Sequence, residues 1–85
     1  MTLSELIERV EKGETSNELD VAIEITLFNP DVAIRANAAG SKVIYTKRDG
    51  SEATHLAWDW TLPRNRPRTL TELRHLSAQE RDDDR

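Results

Sequence analysis

The chain contains no cysteine. A disulfide framework and a thiolate metal site are therefore excluded. Only two histidines occur, His55 and His75, and neither stands at zinc-ligand spacing from other ligating residues. His55 falls mid-strand on a polar face, where it reads as a surface residue. The one acidic cluster, Asp82-Asp83-Asp84, lacks the alternation of a calcium loop. No apolar run approaches the roughly 20 residues that a membrane span needs. The opening MTLSELIERVEK is acidic and amphipathic, unlike a secretory signal. The expectation is a cytoplasmic protein with no membrane partner. Nothing resembles a nucleophile elbow, and no cofactor motif is present. His55 and Asp59 share a strand face but stand roughly 13 Å apart by strand rise, too far for a base and its orienting group. Neither enzymatic activity nor a cofactor is expected.

With 85 residues the chain has room for one small domain and a modest core. Aromatic residues are scarce: Phe28, Tyr45, Trp58 and Trp60. Three of the four lie in SKVIYTKRDGSEATHLAWDW, residues 41–60, so this stretch locates much of the core. Asp49-Gly50 is a strong hairpin signal, because a type I′ turn needs φ > 0 at both central residues. A two-residue loop pairs Lys47 with Glu52, Tyr45 with Thr54 and Val43 with Leu56. Alternation then puts Val43, Tyr45, Leu56 and Trp58 on one face. A one-residue slip would set His55 opposite Val43 and Ala53 opposite Tyr45, mixing apolar with polar. Trp58 and Trp60 point the same way if the strand continues. Both could cover the core, or Trp60 could be an exposed anchor for a partner.

Ahead of the hairpin, Leu3, Leu6, Ile7 and Val10 make a helical stripe over residues 3–12, with a capping box at Thr2 and Glu5 and a stop at Gly13. Glu5–Arg9 and Glu8–Lys12 form favourable i,i+4 pairs. Residues 16–28 are ambiguous. Val21, Ile23, Ile25 and Leu27 alternate like a strand, whereas Leu19, Ala22, Ile23 and Thr26 fit a helix. The unbroken length, and a second capping box at Thr15 and Glu18, favour the helix. Asn29-Pro30-Asp31 reads as a turn. Residues 32–38 could be strand or helix; a strand is preferred, because it gives the hairpin the third strand it needs. Residues 62–68 carry two prolines and read as a loop. Thr69 and Glu72 cap a final helix with Leu70, Leu73 and Leu76 on one side. The expected fold is α+β, in the order α-α-β-β-β-α, with a three-stranded antiparallel meander packed against helices. It occupies residues 1–77, and residues 78–85 form a polar, disordered tail.

The net charge of −4 conceals segregation. Residues 1–34 carry −6, residues 35–68 carry +4 and residues 69–85 carry −2. Two candidate binding surfaces follow. Glu5, Glu8, Glu11, Glu14, Glu18, Asp20 and Glu24 recur at helical spacing and could dock on a basic groove. Arg64, Arg66 and Arg68, with Trp60 beside them, could instead follow a phosphate backbone. The overall acidity makes nucleic acid the lesser partner.

Glu18-Leu19-Asp20 with Ile23, Asp49-Gly50-Ser51, Trp58-Asp59-Trp60-Thr61 and Arg68-Thr69 recur in order across residues 4–76. In these the chain resembles small uncharacterised proteins of phages and prophages in alphaproteobacteria. The resemblance implies a non-enzymatic accessory protein, of the kind that includes anti-CRISPR inhibitors. It suggests a host protein or nucleoprotein complex, such as a CRISPR effector, as the partner, blocked at its nucleic-acid groove by the acidic helices. The alternative is a small nucleic-acid-binding protein that uses the Arg-rich loop. The oligomeric state is left open.

Overall fold

The computed structural model describes residues 2–28 and 33–83, with side chains through residue 79. Its elements run α1 (Leu3–Glu11), α2 (Asn17–Phe28), β1 (Ala33–Ala36), β2 (Val43–Thr46), β3 (Glu52–His55) and α3 (Arg66–Asp83). The strands form one antiparallel sheet in the order β1-β2-β3. This is the expected α+β order. The expected turn at Asn29-Pro30-Asp31, together with Val32, lies outside the described residues.

Local chemistry sets the helix ends. The Thr2 hydroxyl accepts from the Glu5 N–H at 3.2 Å and opens α1. At its other end the Gly13 N–H bonds to Val10 O and the Glu14 N–H to Arg9 O. That pattern is a Schellman stop, and it needs the left-handed φ of +87° that Gly13 adopts. Arg9 pairs with Glu14 across this stop, and Lys12 with Glu8 at 2.9 Å. The cap of α2 falls one residue beyond the expected Thr15. Ser16 Oγ accepts from the Leu19 N–H at 3.1 Å, while the Thr15 hydroxyl donates to Thr61 O at 3.0 Å.

Helix α2 is the centre of the domain. Leu19 and Ile23 pack with Leu6, Val10, Trp60 and Leu73 from the other helices and the 58–61 segment. Val21 packs with Ile34 and Val43 of the sheet. A helix with apolar neighbours on two sides must be apolar on two faces. This is why Val21, Ile23, Ile25 and Leu27 alternate like a strand within a helical segment.

The hairpin register is shifted by one residue from the expectation. Val43 faces His55, Tyr45 faces Ala53 and Thr46 faces Glu52. Turn geometry is the cause. The loop has three residues, Arg48-Asp49-Gly50. It is closed by the Gly50 N–H on Lys47 O at 3.0 Å and the Lys47 N–H on Ser51 O at 2.8 Å. Gly50 alone is left-handed there, at φ +88°. Asp49 keeps a negative φ, and its Oδ1 accepts from the Ser51 N–H and hydroxyl. This is a type I turn followed by a glycine bulge, the usual three-residue solution. Two consequences follow. Glu52 pairs with Arg35 at 2.6 Å in place of Lys47. Leu56 and Trp58 leave the core face and stand 72% and 44% exposed.

Helix α3 begins before the expected Thr69. Pro67 falls in its first turn, where a missing N–H costs nothing. The helix also continues through Asp83, over residues whose polarity had suggested a disordered tail. It packs along α1, where Arg74 meets Glu11 at 2.6 Å.

Leu56→Ala should leave stability within about 0.5 kcal/mol of the parent, as for an exposed side chain. Leu73→Ala should cost about 2–5 kcal/mol. Urea unfolding measures both; a loss at Leu56→Ala as large as that at Leu73→Ala would place Leu56 in the core.

Candidate functional site

Residues 58–61 form no strand. Their polar groups are held mainly by side chains of α2 and its neighbours. Asp20, Glu24 and Phe28 stand four residues apart, so they share the third face of α2. Both carboxylates are buried, Asp20 at 8% and Glu24 at 5% exposure. Glu24 Oε1 accepts from the Trp58 N–H at 2.8 Å and the Trp60 indole N–H at 3.1 Å. Its Oε2 accepts from the Tyr45 hydroxyl. Asp20 Oδ1 accepts from the Thr61 N–H and hydroxyl, each at 2.8 Å. The buried Thr69 hydroxyl donates to Trp60 O at 2.7 Å, so Thr69 is a core anchor within α3 and not its cap. Asn65 completes the set with a 2.7 Å bond to Asp59 O.

These bonds turn the two indoles apart. Their planes meet at 73° with centroids 4.8 Å apart. Trp60 is 8% exposed and belongs to the core, which corrects its expected place as a surface anchor. Burial of Trp60 against α2, with its N–H on Glu24, is the physical reason. Trp58 takes the exposed position. The Arg68 guanidinium lies over its ring, 5.8 Å from the centroid, within cation–π range. Glu24, Phe28, Tyr45, Trp58, Trp60 and Arg68 line an open cleft of about 430 Å³.

The expected acidic surface is largely dissolved. Asp20 and Glu24 face inward because their oxygens satisfy donors that a burial without them would orphan. Glu8, Glu11 and Glu14 are paired within the chain with Lys12, Arg74 and Arg9. Glu5 and Glu18 remain exposed. Of the basic residues, Arg66 is partly buried against Gly13 and donates to its carbonyl at 3.2 Å. This caps the negative end of α1. Arg64 and Arg68 are exposed, and neither makes a hydrogen bond or ion pair among the described residues.

The missed residues left a trace in the sequence. Asp20 and Glu24 are carboxylates four apart on a helix otherwise apolar on both sides. Burial raises the Asp20 carboxyl above its ordinary value, against the opposing pull of the Thr61 bonds. The Tyr45 hydroxyl is pushed up to about 12, by burial first and then by the Glu24 carboxylate.

Among the described residues, no cluster of His, Asp or Glu is arranged to hold a metal ion. None of their helices is long and apolar enough to cross a membrane. No protein-family model, curated protein or solved structure matches the chain.

Glu24→Ala should lower stability by about 3 kcal/mol or more, because it orphans the donors of Trp58, Trp60 and Tyr45. Denaturant unfolding measures this; a loss below 1 kcal/mol would show the carboxylate to be dispensable. Ultraviolet titration of the only tyrosine should give a midpoint near 12 in the parent. A group raised in the folded state adds stability below its unfolded pKa of 10, and that contribution is lost as pH rises through about 12. Glu24→Gln should move the midpoint back toward 10.

Proposed function

We propose that this protein is a non-enzymatic binding protein that acts on a partner protein through the surface formed by Trp58, Phe28 and Arg68. The observation that carries this reading is the cleft. A half-exposed Trp58, a 41% exposed Phe28 and an Arg68 without an ion pair among the described residues meet at one opening. Tryptophan and arginine are the residues that most often dominate protein interfaces, above all where a pocket receives them or they form its wall. Leu56, two residues before Trp58, is 72% exposed as well.

The acidic-helix reading is weaker, because Asp20 and Glu24 are buried and Glu8, Glu11 and Glu14 are ion-paired within the chain. Inhibition of a host defence complex, implied by the phage-like residues, would then run through the aromatic and arginine surface. Nucleic acid is the second reading, favoured by the Arg68 guanidinium over the half-exposed Trp58 indole.

Site-specific photocross-linking tests the choice. A benzophenone amino acid replacing Trp58 should yield an adduct in the native cell that protease destroys and nuclease spares. The same group replacing Glu72, exposed on α3, should not. Nuclease-sensitive adducts would transfer the site to the second reading. Absence of any adduct specific to position 58 would end both.

A further inference from the structure

The cleft has a chemistry more specific than an apolar patch, and its occupant can be argued from its walls. We infer that it receives a short acidic segment of a partner protein, with an aromatic side chain in the cleft and an adjoining carboxylate on Arg68. The inference deepens the protein-binding reading and rests on it.

Four features support this occupant. First, Phe28, Trp58 and Trp60 offer ring faces and edges in different planes: 73° between the two indoles and 55° between Phe28 and Trp60. Tilted walls suit a flat ring that meets one face-on and another edge-on. Second, Arg68 lies over Trp58, yet none of its five N–H donors is used within the described residues. A guanidinium stacked on a ring keeps its donor edge free, and that edge matches a carboxylate in a two-bond fork. Third, the carboxylate in the cleft, Glu24, already accepts three hydrogen bonds. Its charge is spread over fixed donors, so it opposes an incoming anion less than a bare carboxylate would. Fourth, a cationic ligand is disfavoured, because Arg68 already occupies the ring face that a cation would seek.

The charge around the cleft favours a peptide over a nucleic acid. A phosphate chain brings one charge per nucleotide and needs a track of cations, whereas among the described residues Arg68 is the one cation that lines the cleft. One or two peptide carboxylates act only within about 8 Å at physiological salt, so a single forked contact with Arg68 can serve them.

Titration of the ¹⁵N-labelled full chain with acetyl-Gly-Asp-Phe-Asp-Gly-amide tests this. The expected result is saturable shifts at the Trp58 and Trp60 indole N–H signals. Asn in place of both Asp residues, or Ala in place of Phe, should weaken binding about tenfold. Arg68→Glu should weaken the parent peptide by at least as much, with the rest of the amide spectrum unchanged, since Arg68 anchors nothing in the core. Equal binding of the Asn or a Lys analogue would overturn the inference. So would indifference to Arg68→Glu, or tighter binding of octathymidylate. The two readings fail separately. A protease-sensitive adduct at position 58 without peptide binding removes the acidic-aromatic occupant alone. Peptide binding without any such adduct removes the cellular protein partner.

Discussion

The Glu24 carboxylate is the interaction on which the domain turns. It is buried, and three donors from two separate parts of the chain converge on it. Tyr45 comes from the sheet, while Trp58 and Trp60 come from the segment that leads to α3. Burying an ionised group is costly unless hydrogen bonds replace its water. Here the cost is offset by donors that would themselves be orphaned without it. Each side of the exchange requires the other, and so the helix, the sheet and the crossing segment are fixed together.

Asp20 repeats the arrangement one turn earlier with Thr61. The two carboxylates replace a β-ladder. Beyond His55 the chain leaves the sheet, and its polar groups are met by side chains from α2, Thr15, Asn65 and Thr69. This frees Trp58 and Leu56 from the core and opens the cleft between Phe28 and Arg68. The candidate site is thus a by-product of how the core is satisfied.

The order of elements was legible from periodicity and caps. The α1 stripe, Thr2 and Gly13 meant what they usually mean, and the alternation around Val43 and Tyr45 marked a strand. What misled were features with two physical solutions. Asp49-Gly50 permits a two-residue or a three-residue loop, and the choice moves every partner on β3 by one place. Because β3 is an edge strand with little buried, its own pattern could not decide the register. Asp20 and Glu24 looked like part of a solvated acidic run, because charge spacing alone does not reveal which side of a helix is covered. Trp60 and Trp58 exchanged roles for the same reason: their exposure depends on a carboxylate, Glu24, that is 34 residues from one and 36 from the other in sequence.

Residue 58 does two separable things. Its main-chain N–H belongs to the fold, through Glu24, while its indole is half-exposed on the outer side of Trp60. Every amino acid except proline can supply that amide. The side chain at this position can therefore drift in sequence while the scaffold stays constant. A lineage could retarget its surface here by single substitutions that give up the ring contact with Trp60 and keep the bond to Glu24.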